Sequence, residues 1–412
     1  MKKVYIQSNG CAVLMHETER IAKYFTLNGW NLVEHPDEAN ILIMTCCGVT
    51  QNEEDEAIGI ITEIESRRAS GSHFVISGCM PAFARERVLE TSPQATILKY
   101  DELSMLDGII SASTPFHTVY YNSHPLLGSA EEDAIKKDDD LCLMRKFDNK
   151  HKTNQCEQAW EFSTLRKYMW QDGRTYHIKV AYGCPGNCSY CATKLGIGNF
   201  RSVDKQLVIK QFKEGLKKGY NRFLLIGDEI GAYGRDINTS LPNLLKEMYD
   251  LSEGKVVIAI RYIHPDILVK IYERIRPYFS SGFINYFCCA IQSGSAQVLK
   301  RMNRNPNLEP FLRCMEDINQ QHYPVSKHTQ IIIGFPGETA EDFLQTMDAL
   351  RRCSFDHINI NLYSPRKHTA AWEMGDDISK VEKEFRAELV RSTLILHKKA
   401  LLYDTIKKVE SL

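Results

Sequence analysis

The chain has 412 residues, 43% of them hydrophobic and 25% charged, with a formal net charge of -1. That length suffices for two domains with buried cores, and the charge balance excludes a generally basic, nucleic-acid-coating protein while leaving room for a local basic patch. No apolar run approaches the ~20 residues a bilayer span needs. Polar Gln7, Ser8 and Asn9 follow the first six residues too soon for a signal-peptide core. A cytoplasmic protein is expected, with no membrane partner.

Residues 2–8 read as a strand, followed by an amphipathic helix with Ile21, Phe25 and Leu27 on its apolar side. The run 39–44 reads as a buried strand, 52–69 as a charged helix and 73–77 as another buried strand. Such alternation predicts a parallel sheet with helices on both faces. Periodicity is lost from about 116 to 170, where Glu131-Glu132-Asp133 and Asp138-Asp139-Asp140 flank two lysines; this reads as a linker or insertion with a solvated acidic run. Alternation resumes near 175, with strands expected at 175–181, 222–226, 256–260, 284–289, 328–333 and 357–363. Six βα units or slightly more suit a partial (β/α) barrel better than an eight-unit one. Residues 380–408 read as a charged helical tail. The expected division is 1–115, a parallel-sheet domain; 116–170, the linker; 171–378, the barrel; and 379–412, the tail.

Thirteen cysteines, an odd number in a chain of this length, point to metal binding rather than disulfides in a reducing compartment. Gly183-Cys184-Pro185-Gly186-Asn187-Cys188-Ser189-Tyr190-Cys191 follows the first barrel strand with Cys-x3-Cys-x2-Cys spacing. Three thiolates on one such loop reach three irons of a cubane and leave the fourth open. The alternatives are a zinc site, which normally takes four closed ligands, or three unrelated core cysteines.

This spacing resembles the signature of the radical S-adenosylmethionine (SAM) superfamily. The resemblance implies a [4Fe–4S] cluster on Cys184, Cys188 and Cys191. It also implies SAM on the open iron, cleaved by one electron to a hydrogen-abstracting deoxyadenosyl radical. Tyr190 takes the position that packs by the adenine. Gly227-Asp228-Glu229 ends the second barrel strand, where family members hold the SAM amino group. Arg261 ends the third and lies near SAM in the family; the alternative is a surface ion pair. Gln292 and Ser293 end the fourth and are expected to face the pocket. The backbone of Gly334-Phe335-Pro336-Gly337-Glu338 lies along the adenosyl group in the family; a plain helix N-terminus is compatible with this.

Three more cysteines follow predicted strands near the N-terminus: Cys11 after the first, the pair Cys46-Cys47 after the second, Cys79 after the third. The carboxyl ends of parallel strands share one edge, so cysteines distant in sequence meet there. The alternative is small buried residues filling strand ends by chance.

With Gly231-Ala232-Tyr233-Gly234-Arg235-Asp236, Gln292-Ser293-Gly294-Ser295, Arg301-Met302-Asn303-Arg304 and Tyr363-Ser364-Pro365-Arg366, the chain resembles the radical-SAM methylthiotransferases. The stretch 231–236 is most like the branch acting on threonylcarbamoyl-adenosine in tRNA. The resemblance implies an α/β architecture: a flavodoxin-like N-terminal domain with an auxiliary [4Fe–4S] cluster on Cys11, Cys47 and Cys79, and a partial (β/α)6 radical-SAM barrel. Val49-Thr50 match the family's Asn-Thr-Cys-x-Val pattern with Cys47 as ligand; Cys46 is the alternative. The implied reaction uses two SAM and turns an unactivated C–H into C–S–CH3, with an electron donor such as flavodoxin or ferredoxin, on a chain expected to be monomeric.

The chain departs from the family at Leu14, Thr45 and Gln330. After the barrel it has room for a helical tail but not for the small β-barrel most members carry. The expected substrate is therefore a tRNA adenosine or a precursor peptide. Rival readings are a two-cluster enzyme that modifies a peptide without methylthio transfer, a non-catalytic RNA-binding relative, and an electron-transfer protein. Arg366, after the last strand, is expected to meet substrate or the other domain. Cys288, Cys289, Cys314 and Cys353 read as core, and Cys142 and Cys156 as spare.

Overall fold

The computed structural model describes residues 2–120 and 175–393. Residues 121–174, with Cys142, Cys156 and most of the expected linker, and 394–412 of the expected tail lie outside the described residues.

The first sheet carries β1 (Lys3–Ser8), α1 (Ala12–Leu27), β2 (Asn31–Leu32), β3 (Ile41–Cys46), α2 (Gln51–Arg67), β4 (His73–Gly78), α3 (Arg85–Thr91), β5 (Thr96–Leu98) and a short α4 (Leu106–Ile110). All pairs are parallel, in the order β2-β1-β3-β4-β5. That is the flavodoxin-like order, whose ligands sit beyond the carboxyl ends of the strands. β3 lies at the centre with every residue buried, which is why its sequence is an unbroken apolar run rather than an alternation. A capping box between Thr50 and Glu53 starts α2 directly after the β3 turn.

In α1, Ile21, Tyr24 and Phe25 are fully buried against the sheet, but Leu27 is 51% exposed. Leu27 is the last residue of the helix and does not belong to its apolar face, contrary to the periodicity reading. Two short strands, β2 and β5, also escaped that reading; they are two and three residues long.

The second sheet starts at β6 (Tyr176–Lys179). A small antiparallel pair, β7 (Ala181–Tyr182) and β8 (Arg201–Ser202), brackets the cysteine loop and the short α5 (Thr193–Ile197). Then come α6 (Lys205–Lys217), β9 (Arg222–Ile226), α7 (Leu241–Ser252), β10 (Val257–Arg261), α8 (Pro265–Ser280), β11 (Ile284–Cys288), α9 (Ala296–Arg301), α10 (Glu309–Asn319), β12 (Ser326–Ile333), α11 (Ala340–Cys353) and β13 (His357–Leu362). The six strands pair in parallel in chain order, from β6 through β9 to β13. This is the partial (β/α)6 barrel. Helical residues 380–393 follow.

The main core lies between this sheet and its helices, around Phe212, Phe223, Leu245, Phe279 and Phe287. A smaller cluster joins Leu224, Ile226, Ala259, Tyr286 and Cys288 from the strands to Val13 of α1. The first turn of α1 therefore plugs the barrel mouth. Conversely, Ala192 and Ile197, beside and in α5, are buried in the apolar cluster of the first sheet. The two sheets are joined at the carboxyl ends of their strands, the edge at which both cysteine sets were expected. No described helix is long and apolar enough to cross a membrane.

Candidate active site

The loop holding Cys184, Cys188 and Cys191 is shaped by its own backbone. Gly183 enters at φ +67°, where a Cβ would stand 2.9 Å from the Asn199 carbonyl oxygen, so only glycine fits. The Gly183 amide donates to Asp228 Oδ2 at 2.8 Å, and the Gly186 amide points at Cys184 Sγ at 3.3 Å. The residues after α9 grip the far side. Ser189 donates through its amide to the Met302 carbonyl (2.9 Å) and through its hydroxyl to that of Arg301 (2.8 Å). Asn303 Nδ2 donates to the Asn187 carbonyl at 2.7 Å.

Arg304 is the residue that sequence reasoning missed as a site member. Its Nη1 donates to Tyr190 Oη at 3.1 Å and reaches Cys188 Sγ at 3.8 Å, while Nη2 donates to the Ala290 carbonyl at 2.7 Å. The signal was present in the Arg-Met-Asn-Arg stretch, but nothing in its spacing says that its second arginine turns back onto the cysteine loop. Tyr190 stands edge-on to Phe335, with ring centroids 6.4 Å apart.

Burial pushes the Cys184 thiol up to about 12, with the Glu229 charge adding to it and the Gly186 amide opposing it. Burial also raises the Cys191 thiol, against amides of Lys194 and Thr193. In the first sheet, Cys11 stands at the start of α1, and Cys47 and Cys79 follow β3 and β4. Burial pushes Cys47 up to about 12, and its next cause is the charge of Cys11. Cys79 is raised further by burial, then by Cys47, Cys11, Asp228 and Cys191. Cys46 is fully buried in the same apolar cluster as Cys47 and Cys79, and after burial only Cys47 acts on its thiol. The pair thus divides: Cys11 and Cys79 interact with Cys47 and not with Cys46.

The influence of Cys191 on Cys79 shows that the two cysteine sets adjoin. Packing explains how: a Cβ on Gly196 of α5 would stand 2.7 Å from Cys79 Cα. Each set is three thiols that repel one another once ionised, a donor set suited to a cationic iron–sulfur core. Among the described residues, no group of three or more His, Cys, Asp or Glu converges closely enough for one metal ion. The zinc alternative therefore has no ligand set there, whereas ligands on separate irons of a cubane stand further apart.

The other expected site residues stand at or past the carboxyl ends of β9, β10, β11 and β12, and one of them turns away from that edge. Arg261 is 2% exposed, which excludes the surface ion pair; its Nε and Nη1 have no hydrogen-bond partner. Gln292 holds φ +66° and Tyr262, beside Arg261, φ +72°, strained conformations that cluster at functional sites. Gln292 Oε1 is buried without a partner. Such orphaned polar atoms fit a site that takes a polar ligand such as SAM. Ser293 is the exception. It is fully buried, its hydroxyl lies 3.2 Å from Thr346 Oγ1 of α11, and it accepts from the Ser295 amide. It faces a helix rather than the pocket, because the chain turns into α9 at that point.

Glu229 accepts from the Gly231 amide (3.0 Å) and the His264 amide (2.9 Å), and burial pushes its carboxyl up to about 8. Gly227 sits against Ala181 at the end of β9. Gly334 holds φ +73°, and a side chain there would run into Lys383 of the helix at 380–393. Phe335 and Pro336 are buried. Cys288, Cys289, Cys314 and Cys353 are buried, as the core reading expects.

Residues 178–350 match the Radical SAM superfamily, and residues 3–99 match the uncharacterized protein family UPF0004. A tRNA-2-methylthio-N(6)-dimethylallyladenosine synthase of Thermoanaerobacter pseudethanolicus is 26% identical over 98% of this chain and 81% of its own length. A probable threonylcarbamoyladenosine tRNA methylthiotransferase of Pyrococcus abyssi is 27% identical over 90% and 79%. The chain belongs to the radical-SAM methylthiotransferases. Radical-SAM methylthiotransferases are enzymes that transfer a methylthio group, and this one takes SAM and [4Fe–4S] iron–sulfur as cofactors. Among solved structures, the radical SAM methyltransferase TsrM of Kitasatospora setae shares the fold, with a TM-score of 0.58 at 12% identity over 90% of this chain and 77% of that one.

Proposed function

We propose that this methylthiotransferase acts on an adenosine of tRNA, with one [4Fe–4S] cluster on Cys184, Cys188 and Cys191 and a second on Cys11, Cys47 and Cys79, using two SAM per turnover. The observation that carries the reading is the meeting of two thiol triads where the sheets join. Both curated relatives named above, from two branches, are named for tRNA substrates and align over nine-tenths or more of the chain. In this reading the auxiliary-cluster domain spans 1–115 and the barrel 171–378, and the enzyme works in the cytoplasm beside a one-electron donor.

When bound, the clusters and SAM supply hydrogen abstraction and sulfur; the protein supplies placement and exclusion of water. Asp228 fixes the entry of the cysteine loop through the Gly183 amide, and Arg304 presents positive charge to Cys188. Gly227, Asp228 and Glu229 receive the SAM amino group. Tyr190, Phe335 and the backbone at Gly334–Pro336 take the adenosyl end. Arg261 and Gln292 face the reacting edge with N–H and C=O groups free to bind. α1 closes the mouth from above with Val13.

The test is mass spectrometry after anaerobic incubation of reconstituted, reduced enzyme with methyl-labelled SAM. tRNA is offered in one tube and peptides encoded near the gene in another. A labelled methylthio group on a tRNA adenosine is expected. The label on a peptide alone would replace the tRNA assignment, and deoxyadenosine with neither product would remove the methylthio assignment.

A further inference from the structure

The net charge of -1 conceals one uneven surface. Helix α6 carries four lysines and a single acidic residue, Glu214, and Lys218 caps its end. Val208, Ile209, Gln211, Phe212 and Gly215 turn inward and are buried. Lys210, Lys213 and Lys217, at i, i+3 and i+7, share the outer face and are exposed. Among the described residues, none of these three side chains has an ion-pair or hydrogen-bond partner. Lys205, by contrast, pairs with Glu247 at 2.6 Å, and Lys246 of α7 with Asp250 at 2.6 Å. Like charges three and four residues apart disfavour a helix, so the row costs the fold a little stability. It continues onto the first sheet's domain. The Lys23 amine of α1, which donates to the Tyr120 carbonyl at 2.7 Å, is held below its ordinary value first by burial and then by Lys218, with Glu214 opposing.

Place and composition point to the partner. α6 follows β8, which brackets the cysteine loop, so the helix starts at the barrel mouth and runs about 20 Å down its side. An RNA with its adenosine in the mouth can lay the adjoining backbone along this flank. α6 has no exposed large apolar side chain. A protein partner favours an apolar or aromatic centre and few lysines, whereas phosphates need only cations. We propose that Lys210, Lys213 and Lys217, with Lys218 and Lys23 at the lower end, form a phosphate-binding flank that holds the RNA backbone beside the mouth. The inference rests on the tRNA reading of the substrate. Contacts of this kind fix the position of the RNA and read no sequence.

The test is binding of end-labelled bulk tRNA to the reconstituted enzyme, measured across a range of salt concentrations. Each phosphate contact contributes about 0.7–0.9 to the slope of log affinity against log salt. A Lys210→Gln, Lys213→Gln, Lys217→Gln variant should therefore lose about two to three from that slope, and bind on the order of a hundredfold more weakly at about 0.15 M salt. Its KM for tRNA should rise while kcat holds, the pattern of lost uniform binding. Arginine at the same three positions keeps the charge and should keep the slope. A Lys246→Gln, Lys255→Gln, Lys270→Gln variant removes equal charge elsewhere on the barrel and should leave the slope unchanged. Iron per chain serves as the folding control. An unchanged slope in the α6 variant, or an equal fall in the control variant, overturns the inference alone. No tRNA binding by the wild type overturns the tRNA reading, and the inference with it. Normal tRNA binding with slower reduction by an acidic flavodoxin gives the surface to the electron donor and overturns the choice of RNA.

Discussion

Arg366, four residues past the end of β13, forms an ion pair with Glu54 of α2, 312 residues away in the chain. Their side chains are 5% and 10% exposed. Glu54 also accepts from Arg87 at 2.7 Å, and Lys367 pairs with Glu86 at 2.9 Å beside it. Arg366 thus holds the two sheets together rather than lying idle at the surface. Removing one partner of a buried pair leaves an uncompensated charge, at about 3–5 kcal/mol. Glu54→Ala should therefore be the more damaging change, since Arg366→Ala leaves Glu54 with Arg87. Urea unfolding of both single variants and the double variant checks this. A coupling energy near zero would contradict it.

The helix at 380–393 bears on SAM through a buried relay. Arg386 Nη1 donates to Glu338 Oε2 at 2.8 Å, and the same oxygen accepts from the Gly334 amide at 2.8 Å. Lys383 donates to the Tyr363 carbonyl at 3.0 Å and lies over Gly334. Arg386→Ala should weaken SAM binding about tenfold by calorimetry with iron content intact, the size of a lost charge-assisted bond. Arg386→Lys should fall between. Unchanged affinity would mean that the turn holds its shape unaided.

Arg304 should tune the barrel cluster. A positive donor near a cluster sulfur favours the reduced, more negative state. Arg304→Leu should lower the reduction potential on the order of 60 mV, the one-electron equivalent of a tenfold change. A redox titration followed by electron paramagnetic resonance reads it, and an equal or higher potential would contradict the role.

One source of acid-sensitive stability is a histidine buried in the barrel. His328, inside the barrel with its Nδ1 2.9 Å from Tyr286 Oη, is held down to about 3, first by burial and then by the Arg261 charge. Its folded value lies below the unfolded 6.5, so the unfolded chain binds the extra proton first. Its contribution is complete above pH 6.5 and is lost as pH falls toward 3. The slope reaches at most about 1.4 kcal/mol per pH unit. Thermal melts of the metal-free protein should fall through that window, and His328→Gln should flatten the fall. A parallel pair of curves would assign the acid limb elsewhere.

Much of this was readable from local pattern. β3 and β4 announce themselves as unbroken apolar runs, and cysteines that follow parallel strands must share an edge. The choice between Cys46 and Cys47 was less visible, because it depends on which face of a two-sided buried strand each thiol takes. Leu27 was misplaced by periodicity where a helix stops, and Ser293 by its place after a strand where the chain turns into a helix. Arg366 was expected to meet substrate or the other domain and meets the latter, but neither its partner Glu54 nor the turn of Arg304 onto the cysteine loop could be read. Each is defined by a partner far off in sequence, and a lone basic residue carries no sign of being buried.

Iron per chain tests the two-triad claim most directly, measured on reconstituted wild type and on a Cys11→Ala, Cys47→Ala, Cys79→Ala variant. The account predicts about eight irons in the first and about four in the second, one cubane per triad. About four in both would contradict it and leave the N-terminal cysteines without a cluster.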